Sequence, residues 1–174
     1  MIYFIRHGES EANERKVFAG QKDDSVLTEK GREQARATAK EIIAEGIKID
    51  RIIVSPLIRT IETAHIIAQE LGFDVSKITK DERIIEYDLG TLTGTPWNPV
   101  INLVEAKGSE DPYSFKDRTL SCVTELSKLP GNILLVSHGI VARMLKTIKA
   151  GNDPRIFNEM PTLPNASVLK IDWI

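Results

Sequence analysis

Apolar and polar positions follow two rhythms along this chain. Three short runs are apolar without alternation: MIYFI at residues 1–5, RIIV at 51–54 and NILLV at 132–136. Unalternating runs of this length suit strands covered on both faces, as in a parallel sheet between helix layers. Between them the period changes to 3.6. Thr28 is placed to cap a helix with Ala35, Ala39, Ile42 and Ile43 on one stripe and Gly46 as its stop. Ser55-Pro56 predicts the next helix start, with Ser as cap and Pro in the first turn, where its missing N–H is not needed. Leu57, Ile61, Ala64, Ala68 and Leu71 keep the period until Gly72. A helix is predicted around 114–128, with Phe115, Thr119, Cys122, Leu126 and Leu129 on one side and Pro130-Gly131 as its break. Another spans 140–149, with Val141, Met144, Leu145 and Ile148 inward, and residues 166–173 suggest a last strand.

This alternation predicts the α/β class, a three-layer α/β/α sandwich with a mostly parallel central sheet. The 174 residues fit one domain, 1–174. Residues 88–113 lack clear periodicity and carry Gly, Pro and Trp, so they read as a short lid inserted over one end of the sheet.

Composition narrows the function classes. A net charge of −2 and a pI near 6.0 argue against bulk nucleic-acid binding, though a small positive pocket is invisible in such a total. The single cysteine, Cys122, excludes an internal disulfide and fits a reducing compartment; on the core stripe it reads as a packing residue. No stretch approaches the roughly 20 apolar residues of a membrane span, and the N-terminus lacks a signal-peptide pattern. A cytoplasmic protein with no membrane or nucleic-acid partner is the expectation.

The chemistry gathers where the three strands end. MIYFI runs into Arg6-His7-Gly8, IIV into Ser55-Pro56 with Arg59 one turn on, and LLV into Ser137-His138-Gly139. In open α/β sheets ligands bind outside the carboxyl ends of the strands. Parallel strands bring Arg6, His7, Arg59 and His138 to one rim, among helix N-termini, where a phosphate-like anion is favoured. With no thiol in the cluster, an imidazole is the best nitrogen nucleophile, and nearby arginines disfavour its protonated form. The other histidine donates to the anion's oxygens. A leaving alkoxide needs a proton, and Glu86 in IIEYDLGTLTG is the best-placed acid, with Asp88 as substitute. No histidine pair has metal-ligand spacing on one helix, which argues against zinc.

These residues carry a resemblance. FIRHGES followed by Asn13, DDSVLTEKGREQA at 23–35, IIVSPLIRTIETA at 52–64, IIEYDLGTLTG at 84–94 and LLVSHGIVARML at 134–145, with Arg143 as the downstream arginine, resemble in order the segments of the histidine phosphatase superfamily, also called phosphoglycerate mutase-like. The resemblance implies that fold, a phosphohistidine on His7, phosphoryl contacts from Arg6, Arg59 and His138, a phosphate-side contact from Asn13, Glu86 as general acid, and no metal or cofactor. Ser10 and Gly139 are counted with the phosphate or substrate contacts; Glu9 and Ser10 either touch substrate or cap the following turn. Departures are Tyr113-Ser114 where Glu-Ser is usual, Ser121 in place of an arginine with Arg118 one turn earlier, Leu92 in place of an aromatic, and a lid without an Arg-rich clamp.

The function expected is a phosphomonoesterase acting on a small phosphorylated substrate or a phosphoprotein. A phosphoglycerate mutase, a phosphohistidine or phosphoprotein phosphatase, and a non-catalytic phospho-ligand binder are the alternatives. A Ser10 nucleophile elbow in GESEA fits poorly, because Ala12 stands where that turn wants Gly. His65 is expected to be partly buried and structural, Asp23-Asp24 to be a solvated turn, and Trp97 either to touch substrate or to pin the lid.

Overall fold

The computed structural model describes residues 1–174. Its sheet has five strands, β1 (Ile2–Arg6), β2 (Arg51–Val54), β3 (Thr79–Lys80), β4 (Ile133–Ser137) and β5 (Val168–Ile171), in the order β3-β2-β4-β1-β5. All pairings are parallel except that of β5, which runs antiparallel on the β1 edge. Every residue of the central β4 is buried. Its side chains alternate between two cores: Ile133 and Leu135 face one, Leu134 and Val136 the other.

Helices cover both faces. On one side, α2 (Glu29–Ala44) and α3 (Ile58–Glu70) pack Ala35, Ala39, Ile42, Ala64 and Ile67 against Ile5, Ile52 and Val136. On the other, α4 (Pro112–Ser127) and α5 (Gly139–Lys149) bury Phe115, Cys122, Val141 and Leu145 with Phe4 and Leu135. This is the predicted sandwich. No helix is long and apolar enough to cross a membrane.

The chain leaves β1 towards the α2 face and β4 towards the α5 face. β1 and β4 are sheet neighbours, so a crevice opens between their carboxyl ends. That is the switch point at which α/β sheets bind ligands.

Local differences from expectation have physical reasons. α3 starts at Ile58, not at Ser55-Pro56, and its first N–H is capped by Asp24 Oδ1 at 2.7 Å. Ser55 cannot cap it, because its hydroxyl lies 2.6 Å from His138 Nε2. Asp24 is therefore a helix cap rather than a merely solvated residue. Ile43 is 52% exposed and Leu129 38%, each turned off its helix's stripe or past its end. His65 is exposed, since α3 buries Thr60, Thr63, Ala64, Ile67 and Ala68 instead. Cys122 is buried, with its thiol pushed up to about 12, first by burial and then by Asp81. The four-residue α1 (Glu11–Glu14), the two-residue β3 and the 3-10 turns at Val75–Lys77, Glu82–Ile84 and Pro154–Glu159 are too short to carry a readable period.

Of the expected lid 88–113, the last two residues already belong to α4, and residues 88–111 hold only two 3-10 turns, Gly90–Leu92 and Leu103–Glu105. They dock on the chain after α1. Val17 bridges Pro96, Gly94 N–H donates to Phe18 O at 2.7 Å, and Trp97 N–H donates to Lys16 O at 2.8 Å.

The turn that carries His7 packs main chain on main chain. A Cβ on Gly31 would sit 2.0 Å from Glu9 O, and one on Gly8 would sit 2.3 Å from Gly31 O. Gly31→Ala is expected to destabilise the fold by about 1–3 kcal/mol, the usual range for overpacking. Thermal unfolding should shift down by about 2–4 °C per kcal/mol. An unchanged melting temperature would show that α2 can retreat without loss.

Candidate active site at the strand switch

The register of β1 on β4 sets Arg6 opposite Ser137 and continues with His7 N–H donating to Ser137 O at 2.9 Å. The next residue of each strand's exit is therefore a histidine beside a histidine. The two rings lie 5.3 Å apart at 64°. His7 Nδ1 is 2.7 Å from Gly8 O. A carbonyl only accepts, so Nδ1 carries the proton and Nε2 keeps its lone pair. Burial, followed by Arg59 and Arg6, holds His7 well below the usual imidazole range.

His138 is fully buried, and its pKa is likewise held low by burial first and Arg59 next. Its Nε2 meets Ser55 Oγ, while its Nδ1 is buried without a protein partner. In the neutral ring, a Ser55 hydroxyl donating to Nε2 leaves Nδ1–H as a free donor.

Two arginines complete the cluster. Arg6 Nη1 donates to Leu163 O at 2.7 Å, and Arg59 donates to Asp23 O and Gly20 O at 2.7 and 2.8 Å. Burial lowers the Arg6 pKa to about 10 and lowers that of Arg59, which is 1% exposed. The Nε of each is buried and unpartnered. Arg6, His7, Arg59 and Glu86 line one cleft; His138 does not line it, but its ring packs edge-on against that of His7. The four nitrogen-bearing side chains singled out in the sequence thus converge.

Glu86 is buried, and its carboxylate accepts Tyr87 N–H at 2.9 Å and Ile140 N–H, in the first turn of α5, at 3.2 Å. Burial raises its pKa, against the pull of those two amides and of Arg59 and Arg6. Asp88 is engaged elsewhere: it pairs with Lys22 at 3.4 Å and accepts Gly90 N–H. Asn13 lines the cleft, its oxygen taken by Ser10 N–H and Asn165 Nδ2. Gly139 lines it too, and its lack of a Cβ leaves room for Arg6, whose Nε would be 3.2 Å from one. Ser10 takes the second of its two expected roles: it caps α1 and forms a capping box with Asn13, and it is fully buried and does not line the cleft. Glu9 points to Thr28 and Lys30, also away from it. Trp97 pins the lid through its main chain, and the half-exposed residue also lines the cleft.

Some parts went unnoticed in the sequence. Ala166 N–H meets Arg6 O, and Asn165 Nδ2 meets His7 O, so the segment before β5 clamps the β1 exit. Gln21 Nε2 donates to Glu86 O at 2.7 Å from the loop whose carbonyls hold Arg59. Arg143 lines the cleft from α5 with only the neutral partners Asn158 and Thr162. No sequence signal marks carbonyl acceptors of this kind; the arginine in LLVSHGIVARML is the one visible hint. No group of three or more His, Cys, Asp or Glu side chains gathers in a way that would hold a metal ion.

Known proteins share this architecture. Bacillus stearothermophilus YhfR superposes with a TM-score of 0.81 at 26% identity, over 96% of this chain and 88% of that one. The mycobacterial glucosyl-3-phosphoglycerate phosphatase complexed with VO3 superposes at 0.79 and 23% identity, over 96% and 90%; at that identity the likeness speaks for the fold. The probable phosphoglycerate mutase GpmB of Salmonella choleraesuis is 33% identical over 188 aligned positions, covering 99% of this chain and 84% of that protein. The family model "Histidine phosphatase superfamily (branch 1)" matches residues 2–174, nearly the whole length. By that match and by its identity to the Salmonella protein, the chain belongs to branch 1 of the histidine phosphatase superfamily, a family of enzymes.

Proposed function

We propose that this protein is a phosphomonoesterase that works through a phosphohistidine on His7. One observation carries the reading: three buried nitrogens without protein partners belong to the cluster around His7, whose Nε2 is free: the N–H donors Arg6 Nε and Arg59 Nε, and His138 Nδ1, a donor in the tautomer where Ser55 donates to Nε2. Buried donors are nearly always paired, and three cationic or polar ones around a nucleophile suit the equatorial oxygens of a phosphoryl group in transfer.

In this reading His7 Nε2 attacks phosphorus and the ester P–O bond breaks. Glu86 gives its proton to the departing alkoxide. The carboxylate then takes a proton from water, whose oxygen attacks phosphorus. The P–N bond breaks, inorganic phosphate leaves, and His7 is neutral again. The opposite pKa shifts favour this cycle, since the first step needs neutral His7 together with protonated Glu86. With ordinary values of about 6.5 and 4.3 that pairing would be scarce at any pH; a lowered His7 and a raised Glu86 bring the two ranges towards overlap.

Hydrolysis is favoured over mutase chemistry by the lid. Its cleft-lining residues Leu89, Trp97 and Leu103 carry no charge, and its one basic residue, Lys107, does not line the cleft. Nothing from the lid would grip the carboxylate of a sugar acid. The name of the Salmonella relative supports the second reading, a phosphoglycerate mutase. Phosphorus NMR on 3-phosphoglycerate separates the two: free phosphate is expected, and isomerisation without it would overturn the hydrolase.

His7→Ala should abolish both phosphate release and acid-labile labelling of the protein across a panel of phosphate esters; turnover at the parent rate would remove His7 from the nucleophile's role. Glu86→Gln should lower kcat/KM for alkyl phosphates about 10²–10⁴-fold, the usual contribution of a general acid. Aryl phosphates, whose oxygen leaves without protonation, should lose far less. The pH profile of kcat/KM should be bell-shaped. Its acid limb, from His7 protonation, should lie below the ordinary histidine value, and its alkaline limb, from Glu86 ionisation, above the ordinary glutamate value. The alkaline limb should vanish in Glu86→Gln, and its persistence there would assign it to another group.

A further inference from the structure

Arg118 stands out among the arginines because its guanidinium is engaged at almost every position yet does not line the cleft. Nη1 donates to Arg83 O and to Ile85 O, both at 2.8 Å, and Nη2 donates to Glu86 O at 3.1 Å. Three carbonyls of the segment that presents Glu86 are thus held by one planar fork. The other side of the fork is bidentate on Glu110, Nε to Oε1 at 2.6 Å and Nη2 to Oε2 at 2.9 Å. The plane lies 4.6 Å from the centre of the Phe115 ring.

Glu110 is tied to the same segment a second time. Its N–H donates to Asp88 O at 2.9 Å, and its carbonyl accepts the Tyr87 hydroxyl. The C-terminal end of the lid and the acid's own main chain therefore share one anchor. A lysine could not replace it, because an ammonium presents a point charge without the planar fork that reaches carboxylate and carbonyls together.

We infer that the Arg118–Glu110 pair is the positioning device for Glu86: it fixes the 83–86 main chain so that the carboxyl stays on the Tyr87 and Ile140 amides and faces the phosphoryl site. Arg118 acts through Glu86 and touches no reacting atom. This rests on the phosphatase reading only in giving Glu86 the role of acid. The placement of the carboxyl is a separate matter of structure, and the test keeps the two apart. Displacing a reacting group by about 1 Å costs about a hundredfold in rate, so loosening this anchor is expected to act on proton delivery.

The test uses the full chain as Arg118→Ala and Arg118→Lys, with Glu86→Gln as reference. Amide hydrogen exchange by NMR at Tyr87 and Ile140 reads the carboxyl's position without any turnover. Exchange at both amides should accelerate at least about tenfold in Arg118→Ala, while core amides of β4 keep their protection. Millimolar guanidinium should restore protection in Arg118→Ala, and sodium at equal ionic strength should not. In kinetics, Arg118→Ala should lose about ten- to hundredfold in kcat/KM on an alkyl phosphate and much less on an aryl phosphate. Guanidinium should return most of the alkyl activity, and Arg118→Lys should behave like the alanine variant.

Unchanged exchange at Tyr87 and Ile140 would overturn the inference, as would a loss of protection shared with the β4 core, which would make Arg118 a general stability residue. Equal kinetic losses on both esters would overturn its link to the acid. If Glu86→Gln itself spares alkyl phosphates, the acid assignment fails, and the exchange result still decides whether Arg118 places that carboxyl.

Discussion

The whole site hangs on the in-register parallel pairing of β1 with β4. That ladder sets Arg6 against Ser137 and delivers two histidines side by side, 5.3 Å apart, at a crevice where neighbouring strands send their chains to opposite faces. A slip of one residue would turn each strand's apolar set to the other face and part the histidines. The register is held from both sides: every β4 side chain is buried, and a backbone-on-backbone contact at Gly8 and Gly31 fixes the turn after β1. Catalytic geometry and core packing are therefore one specification, and they are hard to change separately.

The second organising fact is how the cations are held. Surface arginines such as Arg15, Arg32, Arg36 and Arg155 pair with carboxylates. Arg6 and Arg59 are instead held by the carbonyls of Leu163, Gly20 and Asp23, and Arg143 by Asn158 and Thr162. Neutral acceptors fix the orientation of a guanidinium without neutralising it. The cleft then keeps a charge for which only an anion is the natural partner, in surroundings dry enough to strengthen it. Arg118 breaks the pattern, being neutralised by Glu110, and it is also the arginine that turns its back on the cleft.

This distinction explains what the sequence let a reader see. Arg6, His7 and His138 were legible because each sits where an apolar strand run stops, Arg59 because it follows such a run within a helical turn, and Glu86 more weakly, from its place just before the lid. The sheet and its helix layers were legible from period alone. The supports were not. Leu163, Ala166, Gly20 and Asp23 contribute main-chain oxygens or amides, which every residue carries, so nothing in their side chains announces the task. Ser55 misled for the same reason in reverse: a serine before a proline reads as a helix cap, yet its hydroxyl serves His138, and Asp24, from a distant loop, caps α3. Ser10 could be read as a ligand contact or as a cap, and the structure shows the cap.

Glu86 shows how magnitudes decide between competing effects. Its carboxylate accepts an N–H from the first turn of α5 and sits near two arginines, all of which favour the charged form. A carboxylate at a helix N-terminus is favoured by the amides and the dipole there, whereas taking it out of water disfavours the charge. Burial is the largest of these influences on Glu86, so its pKa is raised in spite of the amides and the arginines. On the proposed phosphatase reading, a phosphoryl dianion bound beside Arg6 and Arg59 would offset their charge. Substrate binding would then strengthen the tendency that burial begins, and Glu86 would be most protonated when a leaving group is present to receive its proton.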